Sequence, residues 1–346
     1  NRPQDEEDDI ESAALAAEDM DSMTVARDGE TSVAKLRFDL DLPPAGEDET
    51  PLGEGISLPE WDYKKQVMQV DYCRLQEMVS AQTVPCELPA QLRRTARRLR
   101  SQFQALAPTR IWLKGQQDGE EIDLDAWVRQ EADLLSGVHA DSRGLYRAQV
   151  NQQRDLACLL LADLSLSTDT YASDHARVID VIRDSLFLFS EALTATGDQF
   201  AMYGFSSLKR GNIRFNLLKS FEEKYDNQTR GRIKAIKPGY YTRMGAAIRY
   251  ASTLLAVQPQ CQRLLLLLTD GKPNDLDRYE GRYGIEDTRM ALHEARQQGL
   301  RPFCVTIDNE ANEYLPHLFG ASGFAVIRKP EDLPKELPLL YAQMTH

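Results

Sequence analysis

The sequence predicts an α/β fold, a doubly wound and mainly parallel sheet with helices on both faces, filling the second half of the chain. Three observations predict it. Continuous apolar runs of strand length recur at "LACLLLADLS" (156–165), "QRLLLLLTDG" (262–271) and "LRPFCVTID" (300–308); strands buried on both faces show this pattern rather than alternation. Stretches of helical period separate them. Strand–helix alternation of this kind builds a parallel sheet, because right-handed crossovers return each strand beside its predecessor.

The elements follow in order. Residues 1–55 hold seventeen Asp or Glu and four Lys or Arg, so this segment carries the whole formal charge of −13. It reads as an acidic flexible linker or tail, with local order around "KLRFDLDL". Residues 56–150 read as a small mixed helix/strand region. "WDYKKQVMQVDYC" (61–73) is a strand pair or a strand running into a helix. "PAQLRRTARRLRSQFQAL" (89–106) is a basic amphipathic helix with Leu92, Ala96, Leu99, Phe103 and Leu106 on one face. "RIWLKGQQDGEEIDLDAWVRQEADLL" (110–135) is a hairpin followed by a helix starting near Asp123 or Asp125.

From residue 151 to 346 the α/β rhythm takes over. "HARVIDVIRDSLFLFSEALTAT" is a helix with Val178, Ile182, Leu186, Phe189 and Leu193 on one face. "DQFAMYGFSS" and "IRFNLLKSF" are strands, "TRMGAAIRYASTLLA" a helix, and "IEDTRMALHEARQQG" a helix closed by Gly299. A last strand, "GFAVIRK", and a terminal helix, "ELPLLYAQM", complete the series.

Composition narrows the function classes. The 291 residues beyond the tail are balanced in charge, which argues against nucleic-acid binding. No apolar run approaches the ~20 residues of a membrane span and no signal segment opens the chain, so direct membrane insertion is not expected. The first residue is Asn, which suggests a processed chain or a piece of a longer one. Cys73, Cys86, Cys158, Cys261 and Cys304 are odd in number and widely spaced, as expected of reduced thiols in the cytoplasm. No P-loop, HExxH or GxSxG pattern occurs. The histidines (139, 175, 293, 317 and 346) do not cluster.

Chemistry concentrates at strand ends. Asp163 and Asp270 both terminate apolar strands, and the carboxyl ends of parallel strands share one edge, where ligands bind. Ser165 and Ser167 share the loop with Asp163. Two carboxylates with hydroxyls make a hard oxygen set suited to Mg²⁺ or a similar divalent cation. Because hydroxyls add no charge, the ion keeps positive charge and a position for a carboxylate from another molecule.

The pattern Asp163-x-Ser165-x-Ser167 resembles the metal-ion-dependent adhesion site, MIDAS, of von Willebrand factor A (VWA) domains. The resemblance adds Thr242, in "PGYYTRMGAAI", and Asp270, in "TDG". It implies direct coordination by Ser165, Ser167 and Thr242, with Asp163 and Asp270 acting directly or through water. "YGFSS" (203–207), "PGYYTRMGAAIRYA" (238–251), "LLLTDGKPNDLDRYEGRYGIEDTR" (266–289), "PFCVTID", "YLPHLFG", "PEWDY" (59–63) and "DGEEIDLD" (118–125) make the chain similar to the C-terminal part of the NorD family of nitric oxide reductase activation proteins.

That resemblance implies a non-enzymatic adaptor working with a MoxR-class AAA+ ATPase (NorQ-like) on the nitric oxide reductase catalytic subunit, so that non-haem iron enters it. A related adaptor with another client, such as Rubisco (CbbO-like) or a metal chelatase, shares the architecture. A Mg²⁺-dependent phosphohydrolase built on Asp163 and Asp270 is a third class. The long loop 272–289 after the metal aspartate is expected to reach a partner through Tyr279, Arg282 and Tyr283, helped by Arg243 and Lys272.

Overall fold

The computed structural model describes residues 49–81, 83–105, 110–137, 144–151, 155–173, 176–308 and 311–345. The acidic segment 1–48 lies outside the described residues.

The first strands are β1 (Glu49–Pro51), β2 (Ile56–Asp62) and β3 (Val67–Ser80). "WDYKKQVMQVDYC" is thus the turn of a β2–β3 hairpin, closed through Gln66 at φ 53°. Helix α1 (Arg93–Gln104) buries Ala96, Leu99 and Phe103, the stripe its period requires. Next come β4 (Arg110–Gln116), β5 (Glu121–Ile122), α2 (Leu124–Leu135) and β6 (Tyr146–Asn151). The Asp123 carboxylate caps α2 by accepting from the Asp125 N–H at 3.2 Å. β4, β6 and β5 form a three-stranded sheet of their own.

β7 (Leu156–Asp163) is buried along its whole length. The short pair β8 (Tyr171–Ser173) and β9 (Ala176–Arg177) leads into α3 (Val178–Thr196), which ends at Gly197 in the left-handed region. Then follow β10 (Gln199–Ser207), β11 (Ile213–Lys219), α4 (Asn227–Lys234), α5 (Met244–Ala256) and β12 (Gln262–Thr269). The chain continues with α6 (Arg282–Gln297), β13 (Arg301–Thr306), α7 (Ala311–Phe319), β14 (Phe324–Val326) and α8 (Leu333–Thr345).

The main sheet runs β1-β3-β11-β10-β7-β12-β13-β14, with β2 also on β3. β10, β7, β12, β13 and β14 are mutually parallel, as are β11 and β3; β10 and β11 are antiparallel. Alternate residues of β7 serve opposite cores. Leu156, Cys158, Leu160 and Ala162 pack with α1, α3 and α8. Ala157, Leu159 and Leu161 pack with α5, α6 and α7. Double burial explains the unbroken apolar run.

The division expected at residue 150 is not where the structure divides. Pro43–His346 is one compact unit. Leu75–Met78 of β3 pairs with Ile213–Asn216 of β11, and α1 lies in the core against α3. Residues 56–104 are therefore part of the α/β body.

Candidate metal centre

β7, β10, β12 and β13 end at one edge because they are parallel. Asp163 closes β7, and Asp270 follows β12. Beyond Asp163 the chain turns sharply: the Ser165 N–H donates to Asp163 Oδ1 at 2.9 Å, and the Thr168 hydroxyl donates to the Ser165 carbonyl at 2.7 Å. Leu166 N–H donates to Tyr240 O at 2.9 Å, tying this turn to the segment that carries Thr242. Thr242 is fixed in turn by paired backbone bonds with Asn274, at 2.7 and 3.0 Å.

All five residues predicted from the sequence come together. The Thr242 hydroxyl is 3.2 Å from Asp163 Oδ2. The Ser165 and Ser167 hydroxyl oxygens are 2.9 Å apart, and Ser167 donates to Asp270 Oδ1 at 2.9 Å. One residue was missed. Thr269 donates to Asp163 Oδ2 at 3.0 Å. Its signal was its place directly before Asp270, at the end of a strand whose neighbour also ends in the site.

Asp163 is 1% exposed, whereas Ser167 is exposed and Asp270 half-buried, so the site opens to solvent on the Ser167–Asp270 side. Burial pushes the Asp163 carboxyl up. Burial first, and the Asp163 charge second, push Asp270 up to about 7. Two carboxylates in this setting resist carrying both charges, and a bound divalent cation removes that cost. Among the described residues no group of three or more His, Cys, Asp or Glu offers a metal site, so this centre depends on hydroxyl oxygens. Two carboxylates with three hydroxyls fit a hard ion that keeps water or an exogenous oxygen among its ligands.

The predicted partner contacts fare differently. Lys272 is exposed, with its ammonium 5.8 Å from the Tyr314 ring. Arg282 is 75% exposed and lies over Tyr63 at 5.5 Å. Tyr283 is half-buried, edge-on to Tyr63 and Tyr279. Tyr279 and Arg243 differ from the expected surface position: both are fully buried within this chain. Arg243 pairs with Glu60, Asp275 and Asp277, and its guanidinium lies 4.4 Å from the Tyr279 ring centroid. Tyr279 donates to Asp287 Oδ2 at 2.7 Å and accepts from the Gly245 N–H at 3.0 Å. The long loop folds down onto buried charge.

A parallel-centred sheet between two helical layers, with these oxygens at its carboxyl edge, defines the class. Residues 166–335 match the von Willebrand factor type A domain, and the chain carries such a domain. Its homologues then place it more narrowly. It is 56% identical over 296 residues to Protein NorD of Stutzerimonas stutzeri, covering 86% of this chain and 48% of that protein. It is 42% identical over 345 residues to Protein NorD of Brucella suis, covering 99% and 54%. An uncharacterized protein of Pseudomonas aeruginosa is 54% identical over 344 residues, covering 99% and 56%. The chain is a NorD-type VWA protein and spans about half the length of the curated relatives it matches. Among the described residues no helix is long and apolar enough to cross a membrane.

Proposed function

We propose that this protein is a non-enzymatic adaptor that grips an acidic residue of a partner through a divalent cation, Mg²⁺ by default. Asp163, Ser165, Ser167, Thr242 and Asp270 would hold the ion. The ion supplies Lewis acidity toward a carboxylate oxygen. The observation that carries the reading is the convergence of these five side chains, as a Thr242–Asp163 pair and a Ser165–Ser167–Asp270 chain joined by the Ser165 N–H, at a site that opens to solvent.

The names of the relatives direct the choice of partners. We assign this chain a role with a MoxR-class AAA+ ATPase of NorQ type in activating nitric oxide reductase, by enabling non-haem iron to enter the catalytic subunit. Thr242 and Asp163 stay fixed by the backbone around them, so a partner carboxylate meets a site that is already formed. Preorganisation of this kind lowers the cost of ordering on binding.

The test is capture of the ATPase by this chain in Mg²⁺ and in EDTA, with wild type, Asp163→Ala and the double variant Ser165→Ala/Ser167→Ala. Capture that needs both the metal and these side chains is expected. Full ATPase capture by folded variants, together with normal reductase maturation, overturns the reading.

A further inference from the structure

We propose that Pro59-Glu60-Trp61 of β2, which lies outside the von Willebrand match, is a positioning element for the metal centre: it holds the Thr242 segment in place through Arg243. The inference rests on the metal-binding reading above and adds residues of a separate segment to it.

Arg243 directly follows Thr242. Its backbone N–H donates to Ser207 Oγ at 2.9 Å, at the end of β10. Its side chain is held from two further segments, by Glu60 of β2 and by Asp275 and Asp277 of the loop after β12. Glu60 is itself buried and accepts from the Cys73 thiol at 3.0 Å, so β3 fixes the carboxylate that fixes Arg243. A guanidinium taken out of water needs its carboxylates, because removing one leaves charge uncompensated. Planar, forked donors also demand direction, which a point charge does not.

The residues on either side of Glu60 reach the same helix. The Pro59 carbonyl accepts from Arg249 at 3.1 Å. The Trp61 N–H donates to Asp287 Oδ1 at 2.8 Å. Asp287 pairs with Arg249 at 2.8 Å and accepts from Tyr279, whose oxygen receives the Gly245 N–H. Three consecutive residues of β2 thus hold Arg243, at the head of α5, and Gly245 and Arg249 within it: Glu60 and Pro59 directly, Trp61 through Asp287 to Arg249 and through Asp287 and Tyr279 to Gly245. Thr242 sits at the head of that helix. Its hydroxyl lies 3.2 Å from Asp163 Oδ2, so a displacement on the order of 1 Å takes it beyond hydrogen-bond reach.

The test measures Mg²⁺ and Mn²⁺ binding to the whole chain by calorimetry and by Mn²⁺ electron paramagnetic resonance. Urea unfolding of the metal-free protein runs in parallel. Glu60→Gln, Arg243→Lys and Arg243→Met are compared with Glu294→Gln, which loosens Arg249 at the far end of the same network, where Arg249 Nε donates to Glu294 Oε2 at 2.9 Å. Glu60→Gln is expected to lose about tenfold or more in ion affinity, with Arg243→Lys between wild type and Arg243→Met. Glu294→Gln is expected to stay within about twofold of wild type even where it lowers stability. Should Glu60→Gln fail to fold, Asp277→Asn at the more exposed end of the cluster carries the same expectation. Wild-type ion affinity in folded Glu60→Gln or Asp277→Asn overturns the proposal and leaves the metal reading standing. A wild-type chain that binds neither ion removes the metal reading and this proposal with it.

Discussion

Gly245 sets two physical arguments against each other. It lies in the first turn of α5, where replacing glycine by alanine in a helix interior gains about 1 kcal/mol of intrinsic propensity. A Cβ built there meets Asp287 Oδ2 at 1.9 Å and Asp287 Cγ at 2.7 Å. Asp287 cannot retreat easily, because Trp61 N–H, the Tyr279 hydroxyl and Arg249 hold it at 2.7–2.8 Å. Forcing it aside carries an overpacking cost of about 1–3 kcal/mol. Losing one of its charged hydrogen bonds adds about 1.5–3 kcal/mol. With the propensity gain subtracted, Gly245→Ala is expected to destabilise the protein by about 1.5–5 kcal/mol, a large part of the ~5–15 kcal/mol that holds a domain together. Urea unfolding with an unchanged m-value reads this directly. Stability equal to or above wild type refutes the steric argument and leaves propensity in control.

Further expectations concern other parts of the molecule. Lys219 is buried, donating to Phe200 O at 2.6 Å and Ser220 O at 3.0 Å, and burial pulls its pKa down to about 8 against the pull of Glu223 and Glu222. The unfolded lysine keeps its proton to about 10.4, so between pH ~8 and ~10.4 the unfolded state binds more protons and this group makes stability rise with pH. Lys219→Met should flatten the stability–pH curve in that window, and an unchanged slope contradicts the assignment. Alkylation of the native protein at pH 8 should modify exposed Cys261 and spare the buried Cys73, Cys158 and Cys304, whose thiols burial pushes up. Cys261 is held up by its hydrogen bond to Asp155, so Asp155→Asn should quicken its alkylation; equal rates argue against that bond. Tyr279→Phe should cost about 1–3 kcal/mol by stranding Gly245 N–H and one Asp287 oxygen, whereas exposed Arg282→Ala should change stability by less than ~0.5 kcal/mol. Equal effects would contradict the burial assigned to the two side chains.

Much of the sheet was legible because burial on both faces leaves a local mark. The run at 156–162 has no polar residue because both of its faces meet helices. The candidate centre was legible because Asp163, Ser165 and Ser167 follow such a run at alternate positions, and Asp270 ends a second one. The hairpin β2–β3 was harder to place. Its pairing with β11 is non-local, and nothing within residues 56–80 names that partner. Arg243 and Tyr279 are expected at a partner surface because arginine is usually exposed and long loops at this edge usually carry function. Their burial depends on carboxylates supplied from far away in the chain, Glu60 lying 183 positions from Arg243. Such a cluster has no local pattern, so only the assembled fold reveals it.

The place of β3 in the sheet also sets an order of events during synthesis. The β2–β3 hairpin leaves the ribosome before the segments it packs against, with Leu58, Cys73 and Leu75 destined for a core that is not yet complete. Leu75 must wait for Ile213, and Glu60 must wait for Arg243. Bringing such distant segments together carries a loop-closure cost, and sheets dominated by non-local pairs form slowly. The nascent hairpin therefore presents an apolar face and an unpaired edge until β11 has been made, the condition in which newborn proteins draw on chaperones. The charge cluster beside Thr242 closes only once β2 has met Arg243 at the head of α5, so the candidate centre takes its final shape after both segments are made.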